Sequence, residues 1–203
     1  MAAVDSATRL RELIGEPSEL VHLKVQAALS AAAREFVARS PMAFLATCGK
    51  DGMPTVSPKG DAPGFVRAAD ERTLLVPERK GNKLAFSLQN ILCNPKVGMI
   101  FLVPGTCETL RVQGSAELLD DAQLCAQLSS RGNSALLVIR VAVEACYFHC
   151  AKAFLRADLW SPQAWPGRIA VSFGQEIAAR GGLKREEIDA FDSAVQARYQ
   201  TDL

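Results

Sequence analysis

The chain has 203 residues, 49% hydrophobic and 22% charged, which is enough apolar material for one sizeable core and excludes a disordered chain. Its 23 Lys and Arg against 22 Asp and Glu leave a net charge of +1. That balance gives no support to nucleic-acid binding, so an anionic ligand must be met by a local cluster of cations. No run approaches the roughly 18 apolar residues of a membrane helix. The opening MAAVDSATRLRELIG carries Asp5 and Glu12 without an apolar signal region, so a cytoplasmic protein with no membrane partner is expected.

In chain order, the first forty residues read as helical, with Ser18 placed as an N-cap before an Ala- and Leu-rich run and Pro41 closing the segment. MAFLATC (42–48) is a short apolar strand, GKDG a hairpin turn, and MPTVSP the returning strand. Further strands are expected at GFVRA (64–68), TLLVP (73–77), KVGMIFLVP (96–104), ETLRVQGSAEL (108–118) and the long Val/Ile-rich ALLVIRVAVEACYFH (135–149). Helices are expected at 82–92, ended by Asn94-Pro95, at 121–129, and at 183–200, where Leu183, Ile188, Phe191 and Val195 have helical spacing. Short strands joined by hairpins, with isolated helices, favour an antiparallel barrel over a doubly wound sheet. No Gly-x-Gly-x-x-Gly or Walker-type loop follows a strand.

Four clusters carry chemistry. In SPKGD (57–61), Lys59 sits between a proline and a glycine at a strand end, as a ligand-facing cation or as part of a surface turn. In PERKGNK (77–83), Arg79, Lys80 and Lys83 surround a glycine, with Asn82 at the expected helix start. Three cations there oppose the helix dipole unless an anion is bound, and a solvated basic turn is the alternative. In ETLRVQG (108–114), Thr109 and Arg111 share one face of a strand, either inward or paired at the surface. In CYFHCAKAFLRADLW (146–160), a helix from His149 would align His149, Lys152, Arg156 and Trp160 in one stripe. Cys146 and Cys150 with one histidine give at most three metal ligands, so no metal is expected, and the six cysteines read as reduced packing residues. With no Gly-x-Ser-x-Gly elbow and two histidines, a catalytic role would rest on a cofactor.

The ordered set SPKGDAPGF, RKGNKLAFSLQNILCNPKVGMIFLVPG, ETLRVQG and HCAKAFLRADLW resembles the pyridoxamine 5′-phosphate oxidase-related family of FMN-binding split-barrel flavoproteins, over about residues 40–163. The resemblance implies a mainly β fold with flanking helices, a six-stranded antiparallel split barrel, in a homodimer with FMN at the subunit interface. The implied organisation is an N-terminal helical extension (1–40), the FMN domain (41–163) and a C-terminal helical extension (164–203) packed on the barrel or the partner. Arg79 and Lys80 match the pair that holds the flavin phosphate, with Asn82 and Lys83 beside them. Ser57 and Lys59 would lie along the ring, Thr109 and Arg111 would come from the neighbouring strand, and Lys152, Arg156 and Trp160 would close the site.

The family's Arg-Gln-Val-Arg strand motif stands here as Glu108-Thr109-Leu110-Arg111, and the tail QARYQTDL lacks its Arg-x-His-x-Arg pattern, so flavin binding carries over better than vitamin B6 oxidation. The expected function is an FMN-dependent oxidoreductase passing hydride or electrons through flavin N5 to or from a small molecule, with NADH or NADPH as a possible partner. A non-enzymatic flavin or haem carrier, with His149 as the axial ligand, is the alternative. A deazaflavin-dependent reductase is a third reading.

Overall fold

The computed structural model describes residues 3–202. Three helices lead the chain: α1 (Ala7–Ile14), α2 (Glu19–His22) and α3 (Ala31–Arg39). The helical reading of the first forty residues is therefore interrupted twice. Gly15, at φ 76°, ends α1 by turning its amide back onto the Arg11 carbonyl. Ser18 does occupy the N-cap position of α2, but its hydroxyl makes no capping bond. Beyond α2 the backbone leaves helical geometry, and Gln26 exchanges two backbone hydrogen bonds with Cys146 (2.9 and 2.7 Å). From Leu29 onward this segment joins the main core: Leu29, Ala33 and Val37 are buried against the sheet.

The strands are β1 (Met42–Cys48), β2 (Pro54–Gly60), β3 (Arg67–Ala68), β4 (Thr73–Glu78), β5 (Lys96–Leu102), β6 (Thr109–Leu119) and β7 (Leu137–His149). All pair antiparallel in one sheet of order β2-β1-β5-β6-β7-β4-β3. The split-barrel architecture holds, with one difference from the six expected strands. The seventh is β3, two residues long, which pairs only with Leu74 and Leu75 at the sheet edge.

Hydrogen bonding does not close the sheet into a cylinder. Side chains bridge the seam between β2 and the end of β4. Lys59 Nζ meets Glu78 Oε2 at 2.5 Å, and Arg79 Nε donates to Asp61 Oδ2 at 3.0 Å.

Alternation decides which face is inside. Ala43 and Leu45 of β1, Val97, Met99 and Phe101 of β5, and Leu110 and Val112 of β6 are buried in the core, as the two-residue strand period requires. Intervening residues face outward, and several are apolar and half-buried: Met42, Phe44, Ala46, Ile100 and Leu102. On β6 and β7 the register shifts between Gln113 and Gly114.

α4 (Phe86–Cys93) crosses the inner side of the β1–β2 hairpin. Ile91 enters the core there, and Asn90 donates to the Thr47 and Thr55 hydroxyls at 3.1 and 3.2 Å. α5 (Ala122–Gln127) covers a second apolar cluster, Leu75, Cys125, Leu128, Ala135 and Val138, on the other side of β4 and β7. α6 (Lys152–Arg156) follows β7. α7 (Phe173–Gly181) and α8 (Arg185–Thr201) pack on one another, joined where Asp192 Oδ1 accepts from the Gly174 amide at 2.9 Å. No helix among the described residues is long and apolar enough to cross a membrane.

Candidate functional site

Ser57 and Lys59 fall on the inward face of β2, opposite Leu45 and Ala43 in register. Ser57 Oγ lies 3.0 Å from Ser87 Oγ in the first turn of α4, and the Lys59–Glu78 pair sits at the open seam, its side chains 13% and 19% exposed. One residue past β4, Arg79 is held by Asp61 through Nε and by the Leu128 carbonyl through Nη2 (2.7 Å). Its Nη1 is buried without a hydrogen-bond partner. A buried guanidinium nitrogen left free carries a desolvation cost that a bound oxyanion would remove. Burial works to raise the Asp61 carboxyl, but hydrogen bonds from Ser130 and the Ala62 amide, with Arg79 beside it, outweigh that and hold it below its ordinary value of 3.8.

Arg79 and the exposed Lys80 line a cavity of about 280 Å³ with Ser130, Arg131 and Ser134. Thr201 and Asp202 at the end of α8 lie along the same cavity. Between Lys80 and α4 the chain is tightly turned, with Lys83 at φ 64° and Ala85 at φ 52°, both in the left-handed region that disfavours side chains.

This turn corrects one expectation. Asn82 is not the helix start, because α4 begins at Phe86 with Ala85 as its N-cap. Asn82 instead accepts the Leu84 amide at 3.0 Å, a local turn that competes with the helix. The first α4 amide to find a main-chain carbonyl is that of Gln89, bonded to Ala85, so the amides of Phe86, Ser87 and Leu88 remain available.

Thr109 and Arg111 do share one face of β6, but it is the outward one, the side of the sheet opposite Ser57 and Lys59. Their cross-strand neighbours are His149 and Tyr147. The stripe expected from His149 onward does not form. His149 is the last residue of β7, α6 spans five residues, and Asp158 at φ 46° ends the helical path before Trp160. Lys152 and Arg156 are exposed on α6, and Trp160 folds back to donate from Nε1 to the Thr106 carbonyl at 2.8 Å, its ring 5.9 Å from that of Phe154. Ser57 and Lys59 thus lie on one face of the sheet and Thr109 and Arg111 on the other, while Arg79 stands past the end of β4 at the seam, tied to Asp61 and to the Leu128 carbonyl.

Sequence reasoning missed Tyr147 and Lys24. Tyr147 was legible in principle, two residues from His149 on a predicted strand. Lys24 was not, because only the Gln26–Cys146 pairing brings it near. Among the described residues no three His, Cys, Asp or Glu side chains converge as a metal site.

A search of the curated proteins finds no match. Among solved structures the chain is similar to a variant of HupZ from Group A Streptococcus, with 20% identity and a TM-score of 0.50 over 60% of this chain and 99% of that one. It is also similar to a putative pyridoxamine 5′-phosphate oxidase from Lactobacillus delbrueckii (23% identity, TM-score 0.46, 60% of this chain and 95% of that one). HutZ, the haem storage protein of Vibrio cholerae, is similar at 17% identity and a TM-score of 0.40, over 57% of this chain and 89% of that one. At these identities the likeness concerns the fold. The sequence model described as pyridoxamine 5′-phosphate oxidase matches residues 29–150, from the last turn before α3 to the end of β7. That is more than half of the chain, which belongs to this family.

Proposed function

We propose that the protein binds flavin mononucleotide between two copies of the chain and is an oxidoreductase acting on a small molecule. The observation that carries the reading is the unpartnered, buried Nη1 of Arg79, with Lys80 next in the chain and the free amides of the first turn of α4 following at 86–88. That donor set fits a phosphate: a guanidinium, a mobile ammonium and amides at a positive helix end. Arg79 and Lys80 would hold it, with Asn82 and Lys83 contributing from the turn. Ser57 and Lys59 would face the ring, and Lys59 would exchange part of its bond to Glu78 for that contact.

The division of the site supports a homodimer. Thr109 and Arg111 point away from Ser57 and Lys59, so they reach the same ligand from a second copy. The outward surface of β1 and β5, with Phe44, Ile100 and Leu102, is apolar enough to receive one. Lys152, Arg156 and Trp160 would close the site, on a core of residues 41–163 flanked by helical extensions. When bound, the flavin supplies hydride chemistry at N5. The chain's own part is to place positive charge where the reduced ring becomes anionic, through Lys59 or Lys152. NADH or NADPH in the cytoplasm would serve as the electron source.

Purified protein is expected to be yellow, with flavin absorbance near unit stoichiometry per chain. Arg79→Ala should weaken FMN binding about 10- to 100-fold, the worth of one or two charge-assisted hydrogen bonds. A colourless protein that FMN cannot reconstitute overturns the reading.

A further inference from the structure

On the outward face of β6 and β7, three cationic or basic groups gather with no acid among them. Arg111 Nη1 donates to the Tyr147 hydroxyl at 3.1 Å, which leaves the phenolic proton free for another acceptor. Lys24 Nζ stands 5.0 Å from the centroid of the Tyr147 ring. It is brought there by the backbone pairing of Gln26 with Cys146, the residue before Tyr147. His149, two residues further along the same face of β7, keeps Nδ1 buried with no hydrogen-bond partner. Burial, then Arg111, then Lys24, hold its imidazole below the ordinary value of 6.5.

None of the ion pairs among the described residues includes Lys24 or Arg111. Elsewhere on the sheet Lys96 pairs with Glu144 at 2.7 Å and Arg140 with Glu117, while the exposed Arg67 donates to the Gln127 carbonyl. Two uncompensated cations around one phenol, with Arg111 and His149 half-buried, repel one another unless a negative group lies between them.

We propose that Lys24, Arg111, Tyr147 and His149 form a binding site for the oxyanion of a small ligand, a carboxylate or a phosphate group. Arg111 supplies the planar fork, Tyr147 a hydroxyl donor, Lys24 a movable charge, and His149 a donor at Nδ1. The inference deepens the flavin reading: Arg111, which that reading brings to the flavin of a second copy, would there hold the substrate's oxyanion beside the ring, which gives the substrate a class, a small anionic molecule. The binding itself does not depend on flavin.

Only two histidines are present, His22 and His149, so their imidazole proton NMR signals report on the site directly. The purified full chain is titrated with inorganic phosphate and, separately, with acetate. The His149 signals should move saturably with at least one anion while those of His22 stay still, and the tighter anion assigns the group. Arg111→Gln should weaken binding by about 10-fold or more, the loss of a charge-assisted pair. Lys24→Gln, at an exposed position where folding is not at stake, should weaken it by a smaller factor. Arg79→Ala should leave it unchanged.

Absence of saturable movement up to about 50 mM of either anion, well above a millimolar Kd, overturns the proposal. So does a His149 shift produced by FMN alone and insensitive to both anions, since the site would then belong to the cofactor. Failure of the flavin reading shows separately, as absence of FMN binding.

Discussion

Arg79 and Asp61 show how one residue pair serves both fold and site. The pair bridges the open seam of the sheet, with Asp61 at 9% exposure and further held by the Ser130 hydroxyl at 2.6 Å. Because the folded Asp61 titrates below its ordinary value, its contribution to stability is present at neutral pH and is lost as pH falls through the folded value. Asp61→Asn should therefore lower the thermal midpoint at pH 7 and flatten its decline on acidification, as followed by circular dichroism. An unchanged acid limb would show that the pair does not contribute. His149 acts in the same direction, in a higher pH window. Its lowered value means the unfolded chain takes up the proton first, so stability should fall as pH drops below about 6.5, and His149→Gln should remove that component. The basic cluster at Arg79 was legible in the sequence because its cations are contiguous. The cluster at Arg111 was half legible: strand alternation paired Thr109 with Arg111, whereas Lys24 lies more than eighty residues away in the chain.

At the scale of elements, strands were easier to read than helices. Residues 42–48 and 135–149 form strands close to the expected bounds because alternation and β-branched content act locally. The helix at 82–92 starts four residues late, since Asn82 satisfies the Leu84 amide and the chain then passes through left-handed geometry. The stripe from His149 to Trp160 failed for a related reason: helical spacing describes a face only while the helix continues, and Asp158 breaks it.

One local device fixes how β6 meets β7. At the register shift, a Cβ on Gly114 would press on the Ala142 carbonyl and stand 3.3 Å from Val141 Cγ1. Gly114→Ala should destabilise the chain by about 3 kcal/mol, the upper range for overpacking, read as a lower urea midpoint. A midpoint shift below about 0.5 kcal/mol would mean the bulge relaxes freely.

For the whole molecule, the decisive feature is the apolar outward surface of β1 and β5. Ile100 pairs in register with both Phe44 and Arg111, at the junction of the apolar patch and the cationic cluster. If this surface meets a second copy, Ile100→Glu should convert dimer to monomer by light scattering and reduce FMN retention together with it. A dimer that persists unchanged would place the contact elsewhere.

The sequence by itself determined the main strands, which residues of a strand share a face, and the family, because all three depend on residue types at short, fixed spacings. Only the tertiary structure decided that Ser57 and Lys59 lie on one face of the sheet and Thr109 and Arg111 on the other. It also decided that Arg79 is spoken for on two of its three nitrogens, and that Lys24 joins Tyr147 and His149. These outcomes follow from long-range strand order and register, which side-chain periodicity leaves open.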